Sequence, residues 1–241
     1  MAGRLYGVGL GPGDPELLTV KAARLIGACP VIAFFAKAGR RGHARLIADR
    51  YIPATAEELP LYYPMTTELP FDHPDYLATL SRFYAQATAS LAERLDEGRD
   101  VALLAEGDPL FYGSFMHLFV RLRERFDCEI VPGVTGMAGC SAAASAPMTW
   151  GDDILTVLPG TLPFVELVAR LRQSDAVVVM KLGRNFEKVR LAFAEAGLLE
   201  RALYVERGTM EGQQVAPLKD KREGPAPYFS LILLPGQGRR P

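Results

Sequence analysis

The sequence predicts an α/β protein, and three observations carry that prediction. Short apolar runs bounded by Gly, Pro or Asp recur along the 241 residues. Amphipathic stretches of helical period lie between them. Several runs end in glycine- and proline-rich loops, as buried strands of a parallel sheet do before the next helix. Runs at 5–10, 30–35, 101–105, 129–131, 154–158, 176–180, 202–205 and 228–234 fit strands. They form one group before Phe126 and another after it, so two largely parallel sheets are expected, with α/β domains at 1–125 and 126–241.

The helices follow from spacing. Residues 15–26 set Leu17, Leu18, Ala22 and Leu25 on one face, and 75–96 does the same with Leu77, Leu80, Phe83, Tyr84, Leu91 and Leu95. At 114–126, Phe115, Leu118, Phe119 and Leu122 alternate with Arg121, Arg123 and Arg125. Segments 164–171 and 185–196 have the same pattern. The stretch 53–74 is proline-rich and expected to be irregular; a loop that long usually has a function, here either closing over a substrate or joining a dimer. The tail 235–241 is expected to fray.

Composition excludes several classes. With 49% hydrophobic residues and 27 Lys+Arg against 28 Asp+Glu, neither global disorder nor a strongly basic nucleic-acid binder fits. Cys29, Cys128 and Cys140 are widely spaced and form no CxxC, so no zinc ribbon or disulfide framework is expected and a reducing cytoplasm is the default. The apolar run 31–36 falls far short of a bilayer span of ~20 residues, and the N-terminus lacks the apolar stretch of a signal peptide. A soluble cytoplasmic protein without membrane partner is expected. The histidines His43, His73 and His117 are as scattered as the cysteines, so the chain has no metal-ligand set.

Four loops at strand ends carry the chemistry. The first, Gly7 to Asp14 (GVGLGPGD), is not a dinucleotide loop: counting Gly-x-Gly-x-x-Gly from Gly7 ends on Pro12, and from Gly9 on Asp14. Its glycines either let main chain approach a ligand, with Pro12 fixing the bend, or form a plain turn with Asp14 capping the next helix. In the second, Glu106-Gly107-Asp108-Pro109-Leu110-Phe111, exposed amides and carbonyls can grip a polar ligand, or Asp108 can cap a helix. The third, Val131-Pro132-Gly133-Val134-Thr135-Gly136, opens a helix of very small residues that allows close packing; Cys140 there reads as a packed small residue. The fourth ends a strand at Met180, followed by Lys181 and Arg184, charges expected to face a cleft.

In combination and in this order, GLGPGDPELLT, EGDPLFYGS, VPGVTG and VVVMKLGR resemble the tetrapyrrole (uroporphyrin-III C/precorrin) methyltransferase family over nearly the whole chain. The stretches 59–67, 139–143 and 147–153 are most similar to the branch that methylates the C-20 meso carbon of a reduced tetrapyrrole in cobalamin synthesis. The resemblance implies two α/β domains with a cleft between them, S-adenosyl-L-methionine as methyl donor, S-adenosyl-L-homocysteine as product, and a homodimer. By motif position it implies that Pro12 bounds the floor of the cleft. Glu106, Gly107, Asp108 and Phe111 would contact the donor, largely through main chain. Thr135 and Gly136 would sit beside its methionine part, and Met180, Gly208, Phe229 and Ser230 would frame the adenine pocket.

The acceptor carries many carboxylates, so basic residues should bind it. Lys37, Arg40, Arg41, His43 and Arg45 cluster just past the second expected strand, where ligands bind in such sheets; a solvated surface loop is the alternative. Lys181 and Arg184 are further candidates, and His43 or His73 could also touch substrate, whereas His117 reads as structural. The residues name no catalytic base. They leave open whether the acceptor carries cobalt. A diphthamide or ribosomal-RNA acceptor, or a binding protein without transfer activity, are the other readings; near-neutral charge argues against RNA.

Overall fold

A computed structural model describes residues 1–64, 74–222 and 224–238. The 65–67 part of the 59–67 stretch, His73 and the end of the 53–74 segment up to 73 lie outside the described residues. The chain divides into two compact units, Met1–Thr135 and Gly136–Pro241.

The first unit holds β1 (Leu5–Gly9), β2 (Val31–Lys37), β3 (Glu57–Tyr63), β4 (Val101–Ala105) and β5 (Cys128–Val131), all parallel, in the order β3-β2-β4-β1-β5. Its helices are α1 (Val20–Ala28), α2 (His43–Ile47), α3 (Pro74–Asp96) and α4 (Phe115–Leu122). Strand alternation sorts the core into two layers. Val31, Ala33, Phe35, Val101 and Leu103 pack with Leu91 and Leu95 of α3 and Phe115 and Leu118 of α4. Ile32, Phe34, Ala36, Ala102 and Leu104 pack with Ile26 of α1 and Ile47 of α2. The helix expected from residue 15 starts in two steps. Asp14 caps a 3-10 turn at Pro15–Leu17, and Thr19 then caps α1, its hydroxyl accepting from Ala22 N at 3.0 Å.

The expected boundary at 125/126 moves to 135/136. The reason is β5, which pairs along β1 from Leu5↔Cys128 to Val8↔Val131 and so completes the first sheet. The segment read as irregular contains β3, an edge strand on which Pro60 is tolerated because an edge leaves amides unpaired.

The second unit begins with α5 (Gly136–Ala143) and continues through β6 (Leu155–Pro159), α6 (Phe164–Arg172), β7 (Ala176–Met180), α7 (Phe186–Glu195), β8 (Leu203–Glu206), β9 (Gln214–Pro217) and β10 (Ser230–Leu234). Strand order is β6-β7-β10-β8-β9. The expectation of a largely parallel sheet is wrong for this unit: β6 and β7 are parallel, but β10 runs antiparallel to β7 and β8, and β8 to β9. No α-helix separates β8 from β9, so the chain turns straight back there, and β10, reached past a 3-10 turn at Leu218–Asp220, runs the same way as β9 and opposite to β7 and β8. Helices α6 and α7 cover one face through Leu167, Leu171, Phe186 and Phe193, while Cys140 of α5 packs on the other against Val178, Val205 and Leu233.

The tail expected to fray is held as far as it is described. Gly236 N donates to Met148 O at 2.9 Å and Gly238 N to Asp153 Oδ2 at 3.3 Å. Among the described residues, no helix is long and apolar enough to cross a membrane and no cluster of metal-ligating side chains occurs. The three cysteines are free thiols.

Candidate active site

In the first unit, three strand-end loops meet at main-chain contact distance. A Cβ on Gly9 would stand 2.6 Å from Gly133 N and 2.8 Å from Gly107 O, and a Cβ on Gly133 would overlap that same carbonyl oxygen. Gly11 and Gly107 form an antiparallel bridge, with Gly107 N donating to Gly11 O at 2.8 Å; both sit at positive φ, 77° and 65°. Asp108 braces the junction rather than capping α4. Its Oδ1 accepts from Leu110 N at 2.9 Å and its Oδ2 from Gly133 N at 3.1 Å. Pro12 directly follows Gly11 and is half-buried, as is Phe111, whose ring meets Tyr112 edge-on at 4.9 Å. Gly7 has a different purpose: a Cβ there would overlap the buried ring of Phe115, so this glycine serves helix packing.

The basic cluster separates into two parts. Arg45 is buried and wholly engaged. It forks onto Glu58 at 2.8 and 2.6 Å and reaches Asp49 at 2.6 Å, so it holds α2 to the edge strand. These contacts raise the Arg45 pKa and lower those of Glu58 and Asp49. Lys37 at the end of β2 and Arg40 and Arg41 beyond it are exposed, with Arg41 sharing Asp49 at 3.0 Å. The Glu106 side chain turns toward this region and accepts from Ala44 N at 3.1 Å. Burial pushes the Glu106 pKa above the usual carboxylate range.

Sequence reading missed an aromatic and hydroxyl cluster at the same sheet end. Tyr63 and Tyr84 both donate to Ser114 Oγ, the latter at 3.2 Å. Tyr63 stacks on Phe35 at 5.3 Å, and His117 stacks on Tyr84 at 4.3 Å, consistent with a structural role for that histidine. Burial and the nearby Arg121 lower its pKa. The pattern was legible only once β3 was known to be a strand, because that is what sets Tyr63 beside Phe35.

In the second unit, Met180, Gly208, Phe229 and Ser230 gather at one end of the sheet. Ile232 pairs with Val179 and Ser230 with Glu206, which puts the start of β10, the end of β7 and the end of β8 on the same side. Arg207 N donates to Phe229 O at 2.8 Å, and Ser230 Oγ to Pro227 O at 2.6 Å. Gly208 is pressed on α5: a Cβ would lie 2.7 Å from Cys140 Sγ. Burial pushes the Cys140 thiol up to about 11, opposed by the Gly208 amide donating to its sulfur, so the thiol is a neutral packing and accepting group. Around this point Lys181, Arg207 and Thr209 adopt positive φ of 56°, 51° and 68°. Such strain persists only where the surroundings hold it, and it collects at functional sites. Thr209 Oγ1 is buried with no hydrogen-bond partner among the described residues. Lys181 and Arg184 are exposed in this unit, on a different sheet from Lys37, Arg40 and Arg41. Thr135 and Gly136 join the units along the chain, and nothing lies within 4 Å of a Cβ built on Gly136.

Each of the two α/β units presents close-packed main chain at strand ends, the kind of surface on which α/β enzymes hold small ligands. Residues 4–221 match the model of the Tetrapyrrole (Corrin/Porphyrin) Methylases, and the chain belongs to that family. It is therefore a methyltransferase, and S-adenosyl-L-methionine is the methyl donor of its family. The precorrin-2 C(20)-methyltransferase of Sinorhizobium is 52% identical over 239 residues, spanning 99% of this chain and 98% of that protein. The cobalt-precorrin-2 C(20)-methyltransferase of Salmonella typhimurium is 32% identical over 97% of each. The crystal structure of a cobalt precorrin-4 methyltransferase of cobalamin biosynthesis matches with a TM-score of 0.71 at 26% identity, covering 96% of this chain and 94% of that one.

Proposed function

We propose that the protein transfers the methyl group of S-adenosyl-L-methionine to C-20 of precorrin-2, giving precorrin-3A in cobalamin biosynthesis, as a cytoplasmic homodimer. The observation that carries this reading is the end-to-end similarity to the Sinorhizobium enzyme. The residues fit such a donor. Gly136 starts α5 with open space beside it among the described residues, and the positive end of a helix dipole favours a carboxylate. Thr209 offers a buried hydroxyl with no hydrogen-bond partner among the described residues.

When bound, the donor supplies a methyl already activated on a sulfonium. The protein's part is to hold and aim. On this reading the main chain at Glu106, Gly107, Asp108 and Phe111, with Pro12 beside them, orients the donor, and Thr135 and Gly136 meet its methionine part. Met180, Gly208, Phe229 and Ser230 frame its adenine. Lys37, Arg40 and Arg41 hold acceptor carboxylates, with Lys181 and Arg184 as further cationic contacts. Alignment of the two reacting carbons contributes up to roughly 7–11 kcal/mol of barrier lowering; the donor leaves as S-adenosyl-L-homocysteine, and the proton displaced from C-20 passes to a base that the residues do not name.

The test is incubation with methyl-labelled S-adenosyl-L-methionine and either precorrin-2 or its cobalt-bearing counterpart, cobalt-factor II, followed by locating the label on the ring. Label at C-20 with faster turnover of the metal-free ring is expected. Label on another carbon overturns the assignment, and preference for the cobalt-bearing ring moves the protein to the anaerobic reaction. Reversing the charges of Arg40 and Arg41 should raise the tetrapyrrole KM strongly and spare the donor KM.

A further inference from the structure

We propose that Glu106 is a positioning residue for the basic loop: its side chain fastens the start of α2, and with it Arg40 and Arg41, to the carboxyl end of β4. The inference rests on the reading of those arginines as carboxylate-binding residues.

Helix α2 is five residues long, too short to persist by itself in water. Its N-cap is Gly42, which has no side chain to accept a first-turn amide. A better cap is sterically forbidden there, because a Cβ on Gly42 would overlap the carbonyl oxygen of Phe35. The acceptor must come from elsewhere in the fold, and Glu106 supplies it through the 3.1 Å bond from Ala44 N. The far end of α2 is held separately by Arg45 on Glu58. The Glu106 bond joins α2 to the loop that continues into Gly107 and Asp108. One residue therefore ties the loop assigned to the donor to the loop assigned to the acceptor. Its carboxylate also receives its own backbone amide and stands near His43, both favouring the charged form against burial. A group so held is committed to α2, which leaves the main chain at Glu106 for the donor contact that motif position implies.

The full-length enzyme tests this by comparing Glu106→Ala with Glu106→Gln. The alanine variant should raise the precorrin-2 KM about tenfold, the effect of losing a helix cap, and should raise it by a larger factor than the donor KM, because the main chain at Glu106 is kept. In the enzyme without substrates, its Ala44 amide should exchange hydrogen faster. The glutamine variant keeps an oxygen acceptor and should recover most of the affinity. A rise in donor KM instead, or unaltered exchange at Ala44, overturns the proposal. If the Arg40 and Arg41 reversal leaves the tetrapyrrole KM unchanged, the carboxylate-binding reading fails, and the exchange result alone then decides whether Glu106 caps α2. Should the alanine variant not fold, the amide shift of Ala44 is followed with pH in a His43→Gln background. A transition above the usual carboxylate range supports the clamp, and a flat response overturns it.

Discussion

In the first unit the loops after β1, β4 and β5 meet at Gly9, Gly107 and Gly133, whereas in the second the loops after β7 and β8 turn through Lys181, Arg207 and Thr209. Both arrangements bring main chain to a sheet end, but by different physics. Glycine allows backbone to touch backbone and takes positive φ freely. Residues with a Cβ pay roughly 1–2 kcal/mol each for that conformation, so neighbouring contacts must hold them. Those contacts are visible: Arg207 N on Phe229 O, Thr209 N on Gln213 Oε1 at 2.9 Å, and Gly208 seated on Cys140. The first region depends on absent side chains, and the second on side chains that are present.

The comparison breaks first at Gly133. Gly133→Ala drives a Cβ into the Gly107 carbonyl and displaces the amide that Asp108 accepts. Both neighbours are main chain and cannot swing away, so a loss of roughly 3 kcal/mol is expected in urea unfolding, together with loss of donor binding in calorimetry. Gly208→Ala should be milder, roughly 2 kcal/mol, because its nearest obstacle is the Cys140 sulfur. Removing that sulfur by Cys140→Ala should make the double variant less than additive, by about 1 kcal/mol in a double-mutant cycle. Additive losses would mean that the Cys140 main chain, 3.0 Å from the same Cβ, sets the limit.

The smallest effect separates the units by pH. Arg45 is the buried charged side chain among the described residues, and its hydrogen bonds are the main cause holding Asp49 and Glu58 below the usual carboxylate range. Carboxyls lowered in the folded state stabilise it fully above their unfolded pKa, and that contribution is lost as pH falls through the lowered values. Both acids are well exposed, so the effect is modest. Hydrogen exchange on acidification should therefore loosen α2 and β3 before β7 and β10, and Arg45→Met should flatten that acid response.

The eight strands expected from apolar runs all correspond to observed strands, while β3 and β9 went unread. Both are edges. An edge strand buries less, so its sequence carries polar residues and proline: Glu57, Glu58 and Pro60 in one, Gln214 and Pro217 in the other. The loops GVGLGPGD and EGDPLF were legible as sites of close main-chain approach, because glycine and proline encode conformation locally. That Gly9 and Gly107 approach Gly133 was not, since their positions are set by the pairing of β1 with β4 and β5. The charge cluster misled in part: Arg45 has the same side chain as Arg40 but is spent inside the fold on Glu58.

By itself the sequence determined the α/β class, the loops that end its strands and the methylase family they mark. These follow from short-range rules, namely apolar period, turn chemistry and motif order, which need no partner across the fold. Tertiary structure alone decided the direction of β10, the reach of the first unit to Thr135, and the turning of Glu106 toward Ala44. Each depends on which segments, distant along the chain, come to share a hydrogen bond, and pairing of that kind is settled only when the whole core closes.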